Sequence, residues 1–118
     1  MIKRTYPQSR LRRTRAKGYL RDLVAENHLS VDDLIQPIFI ADQSEAKVEI
    51  PSMPGIYRHN LESLYAETEE LIKKGIKSVA IFPAIDPNKK DQKGSHAFDD
   101  KNIVCVALRG LADKFPEV

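Results

Sequence analysis

Adjacent cations at Lys89 and Lys90, with Lys93 three residues on, are the residues whose type and spacing come nearest to a nucleophilic amine. A lysine acts as a nucleophile only when its amine is neutral, which takes burial or a neighbouring positive charge. These lysines lie on a polar stretch, Asp86 to Asp100, with no apolar pocket written around them, so the stretch reads as a solvated loop. Lys77 stands at the far end of the strand that leads into it. Asp86, Asp91, Asp99 and Asp100 offer hard oxygen ligands of the kind magnesium takes. The reading adopted is that Asp99 or Asp100 caps the following helix and the others stay in solvent. His28, His59 and His96 are scattered, and none has a second histidine or cysteine at ligand spacing. His28 and His96 read as solvated groups. The single cysteine, Cys105, sits between Val104 and Val106 on a predicted helix and reads as a small, half-buried residue with nothing to activate it. It excludes an internal disulfide and a multi-cysteine zinc site. Arg10, Arg12, Arg13 and Arg15 have the fork geometry that suits phosphate. No aromatic stacking surface or recognition motif accompanies them, so nucleic acid is set aside in favour of acids on a neighbouring subunit. No catalytic, cofactor-binding or metal residue is assigned within the chain.

The elements that would position these groups follow from periodicity. Residues 1–17 have no apolar period and are expected to form an extended arm that takes its order from a partner surface. Tyr19, Leu20, Leu23 and Val24 predict a short amphipathic helix fading near His28. After a polar turn at Ser30 to Asp33, Leu34 to Ile40 is an apolar, β-branched run suited to a buried strand, with one ladder bond missing at Pro37. Residues 41–60, with Pro51, Pro54 and Gly55, read as one long irregular connection. Asn60 is a good N-cap. Behind it Leu61, Leu64, Tyr65, Leu71 and Ile72 share one helical face, and Gly75 supplies the left-handed residue that ends the helix, with Ile76 closing it. Ser78 to Ile85 predicts a second strand, apolar on both faces and expecting cover on both. A last helix puts Ile103, Val104, Ala107, Leu108, Leu111 and Phe115 on one side, with Asp99 or Asp100 before it and Pro116 after it. Each strand–helix–strand crossover implies parallel strands. Two parallel strands alone would both be edges, and a further strand is due at Glu117-Val118, so the sheet reads as unfinished.

Bulk properties set the class. The chain has 118 residues, 42% of them hydrophobic, enough for one domain with a core. No apolar run is long enough for a membrane span, and the basic start lacks the apolar stretch of a secretory signal. With one cysteine, the default compartment is the cytosol. The net charge of +2 conceals a division. Residues 1–21 carry eight basic groups and no acid, while the rest carries eleven basic against seventeen acidic groups. A basic arm thus precedes a mildly acidic body.

Several phrases together resemble a known family. They are Arg10-Leu11-Arg12-Arg13, Leu20-Arg21-Asp22-Leu23-Val24, Leu34 to Ile40, Ile50-Pro51-Ser52-Met53-Pro54-Gly55-Ile56-Tyr57-Arg58, Gly75 to Pro83, and Lys90-Asp91-Gln92-Lys93-Gly94-Ser95-His96-Ala97. In this order they are similar to porphobilinogen synthase, also called delta-aminolevulinic acid dehydratase, from about Arg10 to Val118. The resemblance implies an α/β fold: a (β/α)8 TIM barrel with an N-terminal arm that wraps a neighbour, usually in a homo-octamer. Residues 1–33 would be the basic arm and short helix, and residues 34–118 the first two β/α units. It also implies that two 5-aminolevulinate molecules are condensed to porphobilinogen, with Schiff-base lysines on later strands and zinc or magnesium as metal. No residue of this chain matches those lysines or metal ligands, so the chain alone is expected to be inactive. The alternative is a non-catalytic assembly fragment that binds intact subunits through its arm and strand edges. The loop from Lys90 to Ser95 is expected to shape a subunit contact.

Overall fold

The apolar run around Ile38 becomes the centre of a mixed sheet. A computed structural model describes residues 5–7, 9, 10 and 12–118. In chain order the elements are α1 (Gly18–Leu23), β1 (Ile35–Ala41), β2 (Lys47–Glu49), β3 (Tyr57–His59), α2 (Leu61–Lys73), β4 (Ser78–Ala84) and α3 (Ile103–Lys114). The sheet order is β2-β3-β1-β4. β1 and β4 run parallel over their whole length, from Ile35 beside Ser78 to Ala41 beside Ala84, as the crossover through α2 requires.

Two expectations are corrected here. Residues 41–60 are not one irregular connection. They fold into a small hairpin in which Lys47, Val48 and Glu49 pair antiparallel with His59, Arg58 and Tyr57. Strands of three residues are too short to show a period of two, and the prolines between them mask the pairing. β1 is therefore not an edge, because β3 joins it in parallel at Phe39 and Ile40. That contact begins beyond Pro37, so the missing N–H falls where β1 has a paired neighbour only in β4.

The core lies between the sheet and the two longer helices. Ile38, Ile40, Leu64, Leu71, Ala107 and Leu111 are buried together, with Leu61, Tyr65, Ile76, Val79, Ile81, Ile103, Val104 and Phe115 packed around them. Each fully buried aliphatic side chain contributes roughly 1.5–3 kcal/mol. Thr68 joins the buried stripe of α2 despite its polarity, because its hydroxyl donates to the Leu64 carbonyl at 2.8 Å. Helix α2 starts at Asn60, whose Oδ1 accepts from the Ser63 N–H at 2.9 Å. It ends in a Schellman turn: Gly75 at φ 85° donates to the Ile72 carbonyl and Ile76 to that of Leu71.

Three burial expectations also change. Leu108 points away from the core and is half exposed. β4 is covered on one side only, with Phe82 49% exposed although its ring meets Phe39 at 5.7 Å. Tyr19 and Leu23 on α1 are largely exposed. The arm is also not uniformly extended. Arg13–Arg15 form a 3-10 turn, closed by the Arg15 N–H on the Arg12 carbonyl at 3.0 Å. The part of the arm expectation that falls on residues 1–4, 8 and 11 lies outside the described residues. Among the described residues no helix is long and apolar enough to cross a membrane.

Candidate functional site

Parallel strands flanked by helices gather their ligand sites at the carboxyl ends of the strands. Here β1 ends at Ala41 and β4 at Ala84, and both α2 and α3 begin at that same end. Between them lies a cleft of about 540 Å³ lined by Ala41, Asp42 and Gln43 after β1, Ala84 to Asp86 after β4, and the first turns of both helices.

The cleft is polar and close to charge balance. Asp42, Glu62 and Asp86 face Lys89 and Lys101, with His96 beside them. Lys89 Nζ stands 3.7 Å from Asp42 Oδ2 across the rim, with both side chains well exposed, an ion pair worth little in water. Asp86 accepts the Asn88 N–H at 2.9 Å and caps a short 3-10 turn. The cap of α3 falls to neither Asp99 nor Asp100. Asn102 takes it, accepting the Cys105 N–H at 2.9 Å, while its amide donates to the His96 and Ala97 carbonyls at 3.3 and 3.5 Å. Asn102 is 7% exposed and so ties the cleft loop to the helix. Asp99 accepts the Lys101 N–H one turn earlier. Aspartate and asparagine are both good caps, and the sequence reading passed over Asn102 in favour of the two aspartates.

The remaining candidates separate. Lys90 and Lys93 are exposed on the loop, and Lys77 is exposed before β4. Asp91 Oδ1 accepts the Ser95 and Lys93 N–H groups at 2.9 and 3.0 Å. These bonds, that from the Ser95 backbone foremost, hold its carboxyl below the usual range. Cys105 is half-buried, and with Pro83, Ile85, Ala97 and Val104 it lines a second, mainly apolar cavity of about 510 Å³ beside β4. His28 is exposed, but His96 is half-buried, closer to the core than its polar loop suggests. His59 is buried at 7% exposure, with Nδ1 2.8 Å from Ser63 Oγ. Burial lowers its pKa, Glu67 raises it and Lys47 lowers it again. Arg12, Arg13 and Arg15 are exposed, and Arg10 lies over the Tyr6 ring at 5.7 Å. Among the described residues no group of three or more His, Cys, Asp or Glu side chains could hold a metal ion. The zinc or magnesium that the resemblance implies thus has no donor set among them.

Comparison with known proteins shows the family. The family model for delta-aminolevulinic acid dehydratase matches residues 8–118. The chain is 41% identical over 109 residues to the delta-aminolevulinic acid dehydratase of Chlamydia pneumoniae, covering 92% of this chain and 33% of that protein. It is 39% identical to that of Bradyrhizobium diazoefficiens, covering 92% and 31%. The Toxoplasma gondii ME49 enzyme, solved in complex with its reaction product porphobilinogen, superposes with a TM-score of 0.85 at 36% identity, covering 94% of this chain and 31% of that one. The chain therefore spans about a third of the length of the curated relatives it matches, and it belongs to the delta-aminolevulinic acid dehydratase family.

Proposed function

We propose that this chain contributes the arm and the first two β/α units of a (β/α)8 porphobilinogen synthase, which condenses two 5-aminolevulinate molecules to porphobilinogen with loss of water. The observation that carries this is the superposition on an enzyme solved with porphobilinogen. In this reading residues 1–33 are the arm and short helix, and residues 34–118 the barrel units. The open side of β4 supports it. Phe82 is uncovered there, and the apolar cavity at Pro83, Ile85 and Val104 offers a surface for a further strand and helix.

The chain's own residues hold and shape rather than react. Asn102 and Asp91 fix the loop from Asp86 to Asp100, and the charged rim of the cleft forms one wall of the substrate site. The amine of a Schiff-base lysine must be neutral, and Lys89, Lys90 and Lys93 are exposed on that loop. In the family that chemistry, and the zinc or magnesium that some members use, belongs to later strands. The exposed apolar side chains of α1 and the basic arm suit a neighbouring subunit, which supports a homo-oligomer; the cytoplasm as compartment and the Lys90 to Ser95 loop as a subunit contact are part of the same proposal.

The test replaces the matching segment of the Chlamydia pneumoniae relative with residues 8–118 and assays porphobilinogen from 5-aminolevulinate. The fusion is expected to make product and the 118-residue chain none. A folded fusion without product, or turnover by the chain alone, overturns the proposal. The uncovered side of β4 also favours a second reading, an assembly fragment that binds intact subunits. Co-elution of the chain with the full-length relative would support it, and separate elution would exclude it.

A further inference from the structure

The β2–β3 hairpin is held to the sheet by little backbone. β3 meets β1 only at Phe39 and Ile40, through Arg58 and His59. Its other tie is the Gln43 amide on the Arg58 carbonyl at 3.1 Å. At this narrow junction His59 is the buried side chain. It ends β3, faces Lys47 across the hairpin and reaches Ser63 in the first turn of α2.

We propose that His59 is a proton-operated latch: neutral, it locks the hairpin against α2, and protonated, it releases the hairpin. Nδ1 and the Ser63 hydroxyl pair in either protonation state, since the hydroxyl can donate to a neutral Nδ1 or accept from a protonated one. Protonation is costly for a different reason: it places a cation in a buried position opposite Lys47 on the paired strand. The charged groups acting on the ring come from both elements packed against it. Lys47 on β2 opposes the cation and Glu67 on α2 favours it, while β1 contributes uncharged Ile40. Burial outweighs Glu67, so the fold prefers the neutral ring. Release therefore grows as pH falls from the ordinary imidazole value, about 6.5, toward the lower value in the fold.

The hairpin's two ends, Gln43 and Asn60, are also walls of the cleft. Releasing it would loosen that wall, a consequence that rests on the cleft being the substrate side. The latch itself does not depend on that reading.

The test is hydrogen exchange, between pH 7 and pH 5 and corrected for intrinsic rates, of the fusion that carries residues 8–118 in the Chlamydia pneumoniae relative, where the sheet is completed. Amides of residues 47–59 are expected to be protected at pH 7. Their exchange should rise by up to about tenfold per pH unit while that of α2 and α3 holds. His59→Leu should abolish the pH dependence. Lys47→Met should weaken it and Glu67→Gln should strengthen it, which tests the idea without altering the imidazole. A hairpin unprotected at pH 7, protection independent of pH, equal loss in His59→Leu, simultaneous loss in every element, or a common direction for the two charge variants would each overturn it.

Discussion

Asn102 shows how one side chain can organise a loop that contains stronger-looking candidates. Its three hydrogen bonds join the α3 N-terminus to the His96 and Ala97 carbonyls. Asn102→Ala removes the cap and is expected to cost about 1–2 kcal/mol of local stability. The first turn of α3 and the loop should exchange faster together, and faster exchange of the helix alone would contradict the link. Asp91 acts one turn earlier. Bonding keeps it charged below the usual carboxylate range, so its ordering effect is present above about pH 3.8, the ordinary value, and is lost as pH falls through the lower folded value. Asp91→Ala should therefore loosen residues 91–95 at neutral pH and leave α2 unchanged. Exchange in that loop reads the outcome.

At the scale of elements, α2 and α3 meet through a glycine. A Cβ on Gly110 would overlap the Tyr65 hydroxyl and lie 2.8 Å from Tyr65 Cζ. Alanine in a helix interior ordinarily gains roughly 0.5–1 kcal/mol over glycine, but overpacking costs about 1–3 kcal/mol. Gly110→Ala is thus expected to lower the midpoint of chemical unfolding, and adding Tyr65→Ala should cancel most of the overlap penalty. A single substitution that stabilises the protein would mean that the ring moves aside freely. The Lys114 ammonium, 4.1 Å from the centre of that ring, gives it a reason to stay.

At the scale of the whole molecule, the sheet has an open edge at β4. An uncovered strand with an exposed aromatic is a template for further pairing. The 118-residue chain is expected to self-associate or to be partly unfolded. Light scattering during size exclusion, with a thermal melt, checks this, and a monodisperse monomer with one sharp transition would contradict it. Phe82→Lys puts a charge on the open strand and should reduce self-association.

The sequence by itself determined the order of the principal elements. The apolar runs at 34–40 and 78–85, the cap at Asn60 and the helix stop at Gly75 are local signals with local causes, and each stands where its residues require. Only the tertiary structure decided the rest. The hairpin at 47–59 is too short for periodicity and exists because β1 offers an edge to join. Thr68 and His59 find their hydrogen-bond partners four residues away, at the Leu64 carbonyl and the Ser63 hydroxyl, but the cover that buries them comes from other elements, which no single segment encodes. Asn102 rather than Asp99 or Asp100 caps α3 because the loop's carbonyls approach its amide. Burial and pairing depend on what lies across the fold, and that separation in sequence is why they were hidden in it.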